Sequence, residues 1–315
     1  HDDTLSPMQG RSPLRPFVIG SGRMEFDFDW VDAFTDQVFG GNGCAVVHGG
    51  AVLPDAICTA YVRETSLVEC TFTGPSEIAD FKVKYYLASR EIPFAGHPTI
   101  ATVAALRHHG LIGEGPLRLE TGAGIVEIEV RGAQIAMTQI APVFGVEVPV
   151  DLVADVGGLE PADIIGQPQV VSTGLPFCIT VLRSRRALER LKLDPRALAD
   201  YNAHLGQDSD MMEPFWVTLD GATSAGDTYA RLLLAPPSPA EDPFTGSATG
   251  AMAAYLWARG LIDSPRFVAE QGHLMGRPGR AEVEVLGPRD AITGVRVAGQ
   301  GRVVMSGQVF MPDVA

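Results

Sequence analysis

Paired cysteines, clusters of positive charge and long apolar runs are all missing from this sequence, and each absence removes a class of function. The four cysteines, Cys44, Cys58, Cys70 and Cys178, are irregularly spaced and form no CxxC pair. Neither a disulfide framework nor a structural zinc site is expected from them, and free thiols in a reducing cytoplasm are the plain reading. Lys and Arg number 24 against 38 Asp and Glu, for a net charge of −14, and no Lys/Arg-rich run occurs. Such a field repels nucleic acid and anionic membrane alike, so neither is an expected partner. No apolar run approaches the ~18 residues of a membrane-spanning helix. Residues 1–23 lack the apolar core of a signal peptide and read as a flexible N-terminal extension outside the fold.

What is present is enough to fold. The hydrophobic share is 46% of 315 residues and the charged share only 20%, a composition suited to about two domains with real cores.

The strongest internal signal is a repetition. EIPFAGHPTIATVAALRHHGLI (91–112) returns as EDPFTGSATGAMAAYLWARGLI (241–262), with 11 of 22 positions identical. The register runs on to Glu120/Glu270 and Gly122/Gly272. After a short insertion, HLMGRPGR (273–280), VEIEV (126–130) answers AEVEV (281–285). A spacing of 150 residues is far too long for a solenoid repeat and argues for two similarly folded domains.

Each copy has the same local grammar. A β-type run (FKVKYYLA, 81–88; TYARLLLA, 228–235) is broken by Pro and Gly. An Ala-rich helix follows (about 98–109 and 248–259), stopped by Gly110 or Gly260, and then a strand of period two. Both helices are apolar nearly all round, so each is expected to be buried on every side. The expected fold class is α/β (α+β): two domains, 24–140 and 141–315, each a mixed curved sheet around a central helix, related by internal duplication. The prolines and glycine of IAPVFGVEVPV (140–150) mark a candidate hinge between them.

Within the repeated frame the two copies differ where the helices begin, Gly96-His97-Pro98-Thr99 against Gly246-Ser247-Ala248-Thr249. Two helix starts facing each other across a pseudo-twofold axis would present free N–H groups and positive dipole ends to one cleft, a setting that holds a small carboxylate. Equally open at this point is a structural reading, in which Thr99 and Thr249 only cap the helices and the glycines only make the turns.

DAFTDQVFGGNGCAVV (32–47), REIPFAGHPTIATVAAL (90–106), EDPFTGSATGA (241–251) and QGHLMGRPG (271–279) together resemble the PhzF-like family of phenazine biosynthesis, in order and over nearly the whole chain after residue 24. The resemblance implies the diaminopimelate-epimerase fold, two similar α/β domains with a cleft between them. Racemases of that fold use two cysteines, one just before the glycine at each helix start. Here those positions hold Ala95 and Thr245, which cannot serve as acid or base near neutral pH. A two-thiol racemase is therefore excluded.

The PhzF-like pattern implies instead a single carboxylate, which SLVECTF (66–72) places at Glu69, with His97 28 residues on. On that resemblance Glu69 is the general acid/base. His97, Asp242 and Ser247 bind or orient the substrate, with Asp242 accepting from an amine or orienting His97. Asn42 and the backbones of Gly96 and Gly246 complete the cleft. The apolar neighbours Leu67, Val68 and Phe72 would raise the Glu69 pKa toward the working pH. Glu91 and Glu241, present in both copies, are assigned to bracing the turns. His108 and His109 suit a helix C-terminus, and with no HExxH-like spacing no metal site is read.

The implied activity is that of a cofactor-independent isomerase acting on a small carboxylate in the cytoplasm, as a homodimer. The characterised family reaction, on trans-2,3-dihydro-3-hydroxyanthranilate, gives the substrate class by analogy. The alternative is a catalytically silent small-anion binding or interaction protein on the same fold. Three departures from the family pattern bear on the pocket: Gly43 where a proline is usual, which would loosen that loop, Lys84 with Leu87-Ala88, and Cys70 beside the proposed base.

Overall fold

The computed structural model describes residues 17–18, 23–206 and 213–312. The expectation for residues 1–23 falls outside these, save that Phe17–Val18 pairs antiparallel with Met24 and Glu25.

The duplication extends well beyond the repeated segment. In the first half, strand Asn42–Val47 runs parallel to Glu69–Gly74, which is antiparallel to Phe81–Leu87. Phe81–Leu87 is parallel to Gly115–Thr121, followed by the antiparallel strands Gly124–Arg131 and Gln134–Gln139. The second half repeats this polarity strand for strand: Pro176–Leu182 parallel to Phe215–Thr218, then antiparallel Thr228–Leu233, parallel Arg266–Gln271, and antiparallel Gly279–Leu286 and Gly294–Gly299. The expected strands at 126–130 and 281–285 fall within these, and those expected at 81–88 and 228–235 end one and two residues earlier, at Leu87 and Leu233.

Gly96–His108 and Gly246–Ala258 are the two central helices. Each is buried through its first 11 residues, Gly96–Leu106 and Gly246–Leu256, because small side chains on every face let the curved sheet approach all round. Their C-termini are made identically. Gly110 and Gly260 both have φ +67°, a conformation glycine adopts without a Cβ penalty. The amides of Leu111 and Leu261 reach back to the carbonyls of Leu106 and Leu256 at 3.0 and 2.9 Å, the bonding of a Schellman stop.

The halves are joined at two levels. Gln134–Gln139 and Gly294–Gly299, the corresponding last strands of the two sheets, pair antiparallel and make one continuous mixed sheet. Beyond them the chain crosses over twice. Val143–Glu147 leaves the first half and pairs with Ile164–Ser172, the first strand of the second. Gly301–Pro312 leaves the second half and pairs along the whole of Arg23–Ala33, the first strand of the first. The last strand of the second half thus completes the sheet of the first.

Candidate active site

The two helix starts meet in contact. A Cβ added to Gly96 would lie 2.3 Å from the Ser247 amide nitrogen and 2.6 Å from the Gly246 Cα. Only glycine permits backbones to approach so closely. Neither helix has a side chain capping its N-terminus. Thr99 and Thr249 do not cap: their hydroxyls donate back to the carbonyls of Ala95 and Thr245, at 2.6 and 2.9 Å. The structural reading of those threonines is thereby corrected, and the first N–H groups of both helices have no side-chain cap partner at one spot, with both dipole ends adding to a positive potential.

Glu69 opens the strand Glu69–Gly74, where it pairs opposite Leu87. It is 7% exposed, close to the apolar Val68 and Leu87 of the main core. Burial pushes its carboxyl well above the ordinary glutamate range, and the nearby charge of Asp242 adds to the rise. His97, the second residue of its helix, is 2% exposed, and burial pulls its pKa down to about 3. Its Nδ1 stands 3.7 Å from Glu69 Oε2, too far for a hydrogen bond. Burial disfavours charge on both groups, so little ion-pair attraction is expected across this approach. Glu69 Oε2 and His97 Nε2 are buried atoms without a hydrogen-bond partner among the described residues, which is costly unless function requires it.

Asp242 is 2% exposed. One carboxylate oxygen accepts from Asn42 Nδ2 at 2.5 Å and the other from the Thr245 hydroxyl at 2.6 Å. The expectation that Asp242 orients His97 is therefore corrected: its partners are Asn42 and Thr245. Burial lifts its pKa to about 6, against the opposing pull of those two hydrogen bonds. Asn42 also donates to the Phe244 carbonyl at 2.9 Å, so a side chain of the first half is fixed to the cleft segment of the second. Ser247 is buried at the second position of its helix, where His97 stands in the other copy.

Because Asp242 holds its proton more tightly folded than unfolded, its share of stability is full below pH ~4 and declines as pH rises through 6. The decline amounts to about 3 kcal/mol by the usual conversion. In Asp242→Asn, the fall in unfolding free energy between pH 4 and 7 becomes shallower. It does not vanish, since Glu69 titrates with the same sign. Denaturant titrations across that range measure it, and a slope equal to wild type would refute the buried, shifted Asp242.

Some readings hold and others shift. Glu241 takes a bidentate pair from Arg231 at 2.7 and 2.9 Å, and Glu91 accepts from the Tyr86 hydroxyl at 3.1 Å, so both brace their strands. Ala95 is part of the apolar core and Thr245 is spent on Asp242. All four cysteines are free and buried, and burial pushes Cys70, beside Glu69, up to about 12. Gly43 loosens no loop: it lies inside the strand Asn42–Val47, opposite Asp32. Lys84 sits 3.6–3.7 Å from Asp55 and Glu91, outside the cleft.

His109 does more than face a helix dipole. Its Nε2 and that of His48 lie 2.8 and 2.7 Å from one oxygen of the buried Asp29. Among the described residues these three could hold a metal ion, their ligating atoms lying within 4.8 Å of one another. They sit at the opposite end of the helix from His97.

Gln139 and Thr173 were not singled out by sequence reasoning. Gln139 donates to the Gly246 carbonyl at 2.9 Å and accepts from the Thr173 hydroxyl at 2.5 Å. A lone glutamine at a strand end carries no pattern that would have revealed this.

A family model described as phenazine biosynthesis-like protein matches residues 31–307. Trans-2,3-dihydro-3-hydroxyanthranilate isomerase of Pseudomonas fluorescens is 29% identical over 294 residues, covering 89% of this chain and 98% of its own. The uncharacterized isomerase YfhB of Bacillus subtilis is 28% identical over 266 residues, covering 81% and 88%. The crystal structure of the PhzF-family phenazine biosynthesis protein of Bacillus anthracis superposes with a TM-score of 0.78 at 25% identity, covering 90% of this chain and 99% of that one. A hydroxyproline epimerase of Agrobacterium vitis shares the fold alone, with a TM-score of 0.62 at 15% identity over 92% of each chain. The chain therefore belongs to the phenazine biosynthesis-like, or PhzF, protein family, on an epimerase-type fold.

Proposed function

We propose that this protein is an isomerase that shifts a proton on a small cyclic or amino/hydroxy carboxylate, with Glu69 as its single acid/base and no cofactor. One observation carries the reading: a buried carboxyl, with one oxygen lacking a hydrogen-bond partner among the described residues, faces a neutral imidazole where two uncapped helix starts touch.

The substrate carboxylate lies against the N–H groups of the helices that start at Gly96 and Gly246, and Ser247 adds a hydroxyl donor. Ionised Glu69 removes a proton from an acidic carbon. The electrons of that C–H bond form a new double bond, and the existing double bond shifts along the frame. Glu69, now protonated, returns the proton to the carbon at the far end. Nothing is oxidised or reduced, so the balance closes without a co-reactant. His97, kept neutral by burial, donates one N–H to a substrate oxygen without competing for the proton. Asp242, held by Asn42 and Thr245, meets an amino or hydroxyl group. The same reading divides the chain at about residue 140, with 301–312 completing the sheet of the first half.

The relatives named as isomerases support this reading, and one names the first compound to try. Proton NMR in D2O with trans-2,3-dihydro-3-hydroxyanthranilate should show conversion, with deuterium at the carbon that receives the proton wherever the protonated Glu69 exchanges with solvent before returning it. No conversion of that compound would move the search to other small amino and hydroxy acids. Tight binding of such an acid with no exchange of carbon-bound hydrogen would replace the isomerase by a small-anion binding protein.

A further inference from the structure

Asn42 reaches Asp242 from the end of a loop, residues 34–41, whose conformation is costly. Phe34, Phe39 and Gly41 have φ of +60°, +68° and +52°. For the two phenylalanines this is a sparsely populated region, kept only where surroundings over-determine it. At Gly41 a Cβ would lie 2.0 Å from the Ala33 carbonyl oxygen. The loop's outer side is open, with residues 34–40 bordering a cavity of about 640 Å³ and Phe39 68% exposed. It is tied there at the Asp36 carbonyl, which accepts from Arg302 Nε at 2.9 Å, and at the Thr35 amide, which donates to the Gln300 carbonyl at 3.3 Å. Glu69, His97, Asp242 and Ser247 do not border that cavity.

The loop is fastened from the second half of the chain. The Arg277 guanidinium donates through Nε to the Gly41 carbonyl at 2.9 Å, and through one terminal nitrogen to the Gly40 carbonyl at 2.9 Å and to Asp32 at 2.7 Å. The other Asp32 oxygen accepts from the Phe39 amide at 2.6 Å. The Gly41 amide donates to the Pro278 carbonyl at 2.9 Å, and the Arg280 amide to the Phe34 carbonyl at 2.8 Å. Both ends of the loop then bear on the cleft. Phe34 stacks on Phe244 with ring centres 4.3 Å apart, and Asn42 holds Asp242 and the Phe244 carbonyl.

We propose that Arg277 is a positioning residue: its planar fork locks the strained 34–41 loop across the junction of the two halves and so holds the Asn42 amide on Asp242. The inference rests on the reading of this cleft as an isomerase site. Lysine cannot replace the fork, since one ammonium does not span two carbonyls and a carboxylate in fixed directions.

The test combines a readout that needs no substrate with one that does. Asp242 is titrated by carboxyl carbon NMR in wild type, Arg277→Gln, Arg277→Lys, Asn42→Ala and the double variant Arg277→Gln/Asn42→Ala. Turnover of the substrate found by the D2O assay is measured on the same proteins. Freeing Asp242 from Asn42 removes a hydrogen bond that favours its charged form. Its pKa should therefore rise above the wild-type value in Asn42→Ala and in Arg277→Gln, with Arg277→Lys in between. The double variant should match Asn42→Ala alone. In turnover, kcat should fall roughly 10-fold or more in either single variant, non-additively, because both act through one contact. An Asp242 titration unchanged in Arg277→Gln, or additive losses in the double variant, would overturn the proposal. A shifted titration with no turnover by wild type would leave the positioning role standing and count against the isomerase reading alone.

Discussion

Glu69→Gln abolishes deuterium incorporation and lowers kcat by about 10²–10⁴-fold, the range expected for loss of a positioned general acid/base, while the protein stays as stable as wild type or gains slightly. The two halves of this expectation come from the same facts. Glutamine has the shape of the neutral glutamic acid that burial favours, so it enters the site without displacing Val68 or Leu87. It also removes a group whose ionisation inside the fold is unfavourable. What it lacks is the ability to exchange a proton with carbon. The wild-type pH profile should show the same group. Since Glu69 must be ionised to act as base, kcat/KM rises with pH along a limb displaced above the usual glutamate range, and that limb is missing from any residual activity of the variant. Substrate exchange measured by NMR, with thermal unfolding alongside, decides the matter. Full exchange by Glu69→Gln would assign the base elsewhere.

Gly96→Ala separates the two helix starts, and it costs more than any surface glycine replacement. The added Cβ meets backbone at 2.3, 2.5 and 2.6 Å, all within Gly246 and Ser247. Backbone cannot rotate away as a side chain can, so the helices must part. The cost is about 3 kcal/mol, at the upper end of overpacking penalties, or a fall in melting temperature of roughly 4–5 °C for a chain of this size. Turnover falls as well, because the same displacement spreads the two rows of N–H groups that the proposed function sets against the substrate carboxylate. Gly113→Ala is the matched control, since no heavy atom lies within 4 Å of a Cβ there. Melting curves for the two variants test the contact. Equal stability would mean that the helix starts do not touch.

Much of this architecture was legible because it is encoded locally and twice. Gly110 and Gly260 mark their helix ends by a backbone conformation that other residues avoid, and the all-round small apolar faces announce burial. The roles proposed for Glu69 and His97 came by resemblance; one glutamate in an alternating strand gives no sign of its own. What could not be read depends on contacts between distant segments. The resemblance offers Asp242 as an acceptor from an amine or as the group that orients His97, yet its partners are Thr245, three residues on, and Asn42, 200 residues away. Thr99 and Thr249 lie near the helix starts where capping residues are common, and only the side-chain direction shows that they bond backward. Gly43 in place of proline looked like a loosened turn. Its place opposite Asp32 makes that position extended instead, and the strand that carries Asp32, Arg23–Ala33, is paired on its other flank by Gly301–Pro312.

That last pairing also governs how the molecule can be made. Ala33 is separated from its partner Gly301 by 268 residues (301 − 33). At a ribosomal pace of roughly 5–20 residues per second, one flank of the strand Arg23–Ala33 stays unpaired for roughly 13–54 s after it emerges. A nascent chain therefore carries an open β-edge for all of that interval, the kind of edge that recruits other strands. In the cell, yield should depend on chaperones that shield the early chain more than on the stability of the finished fold.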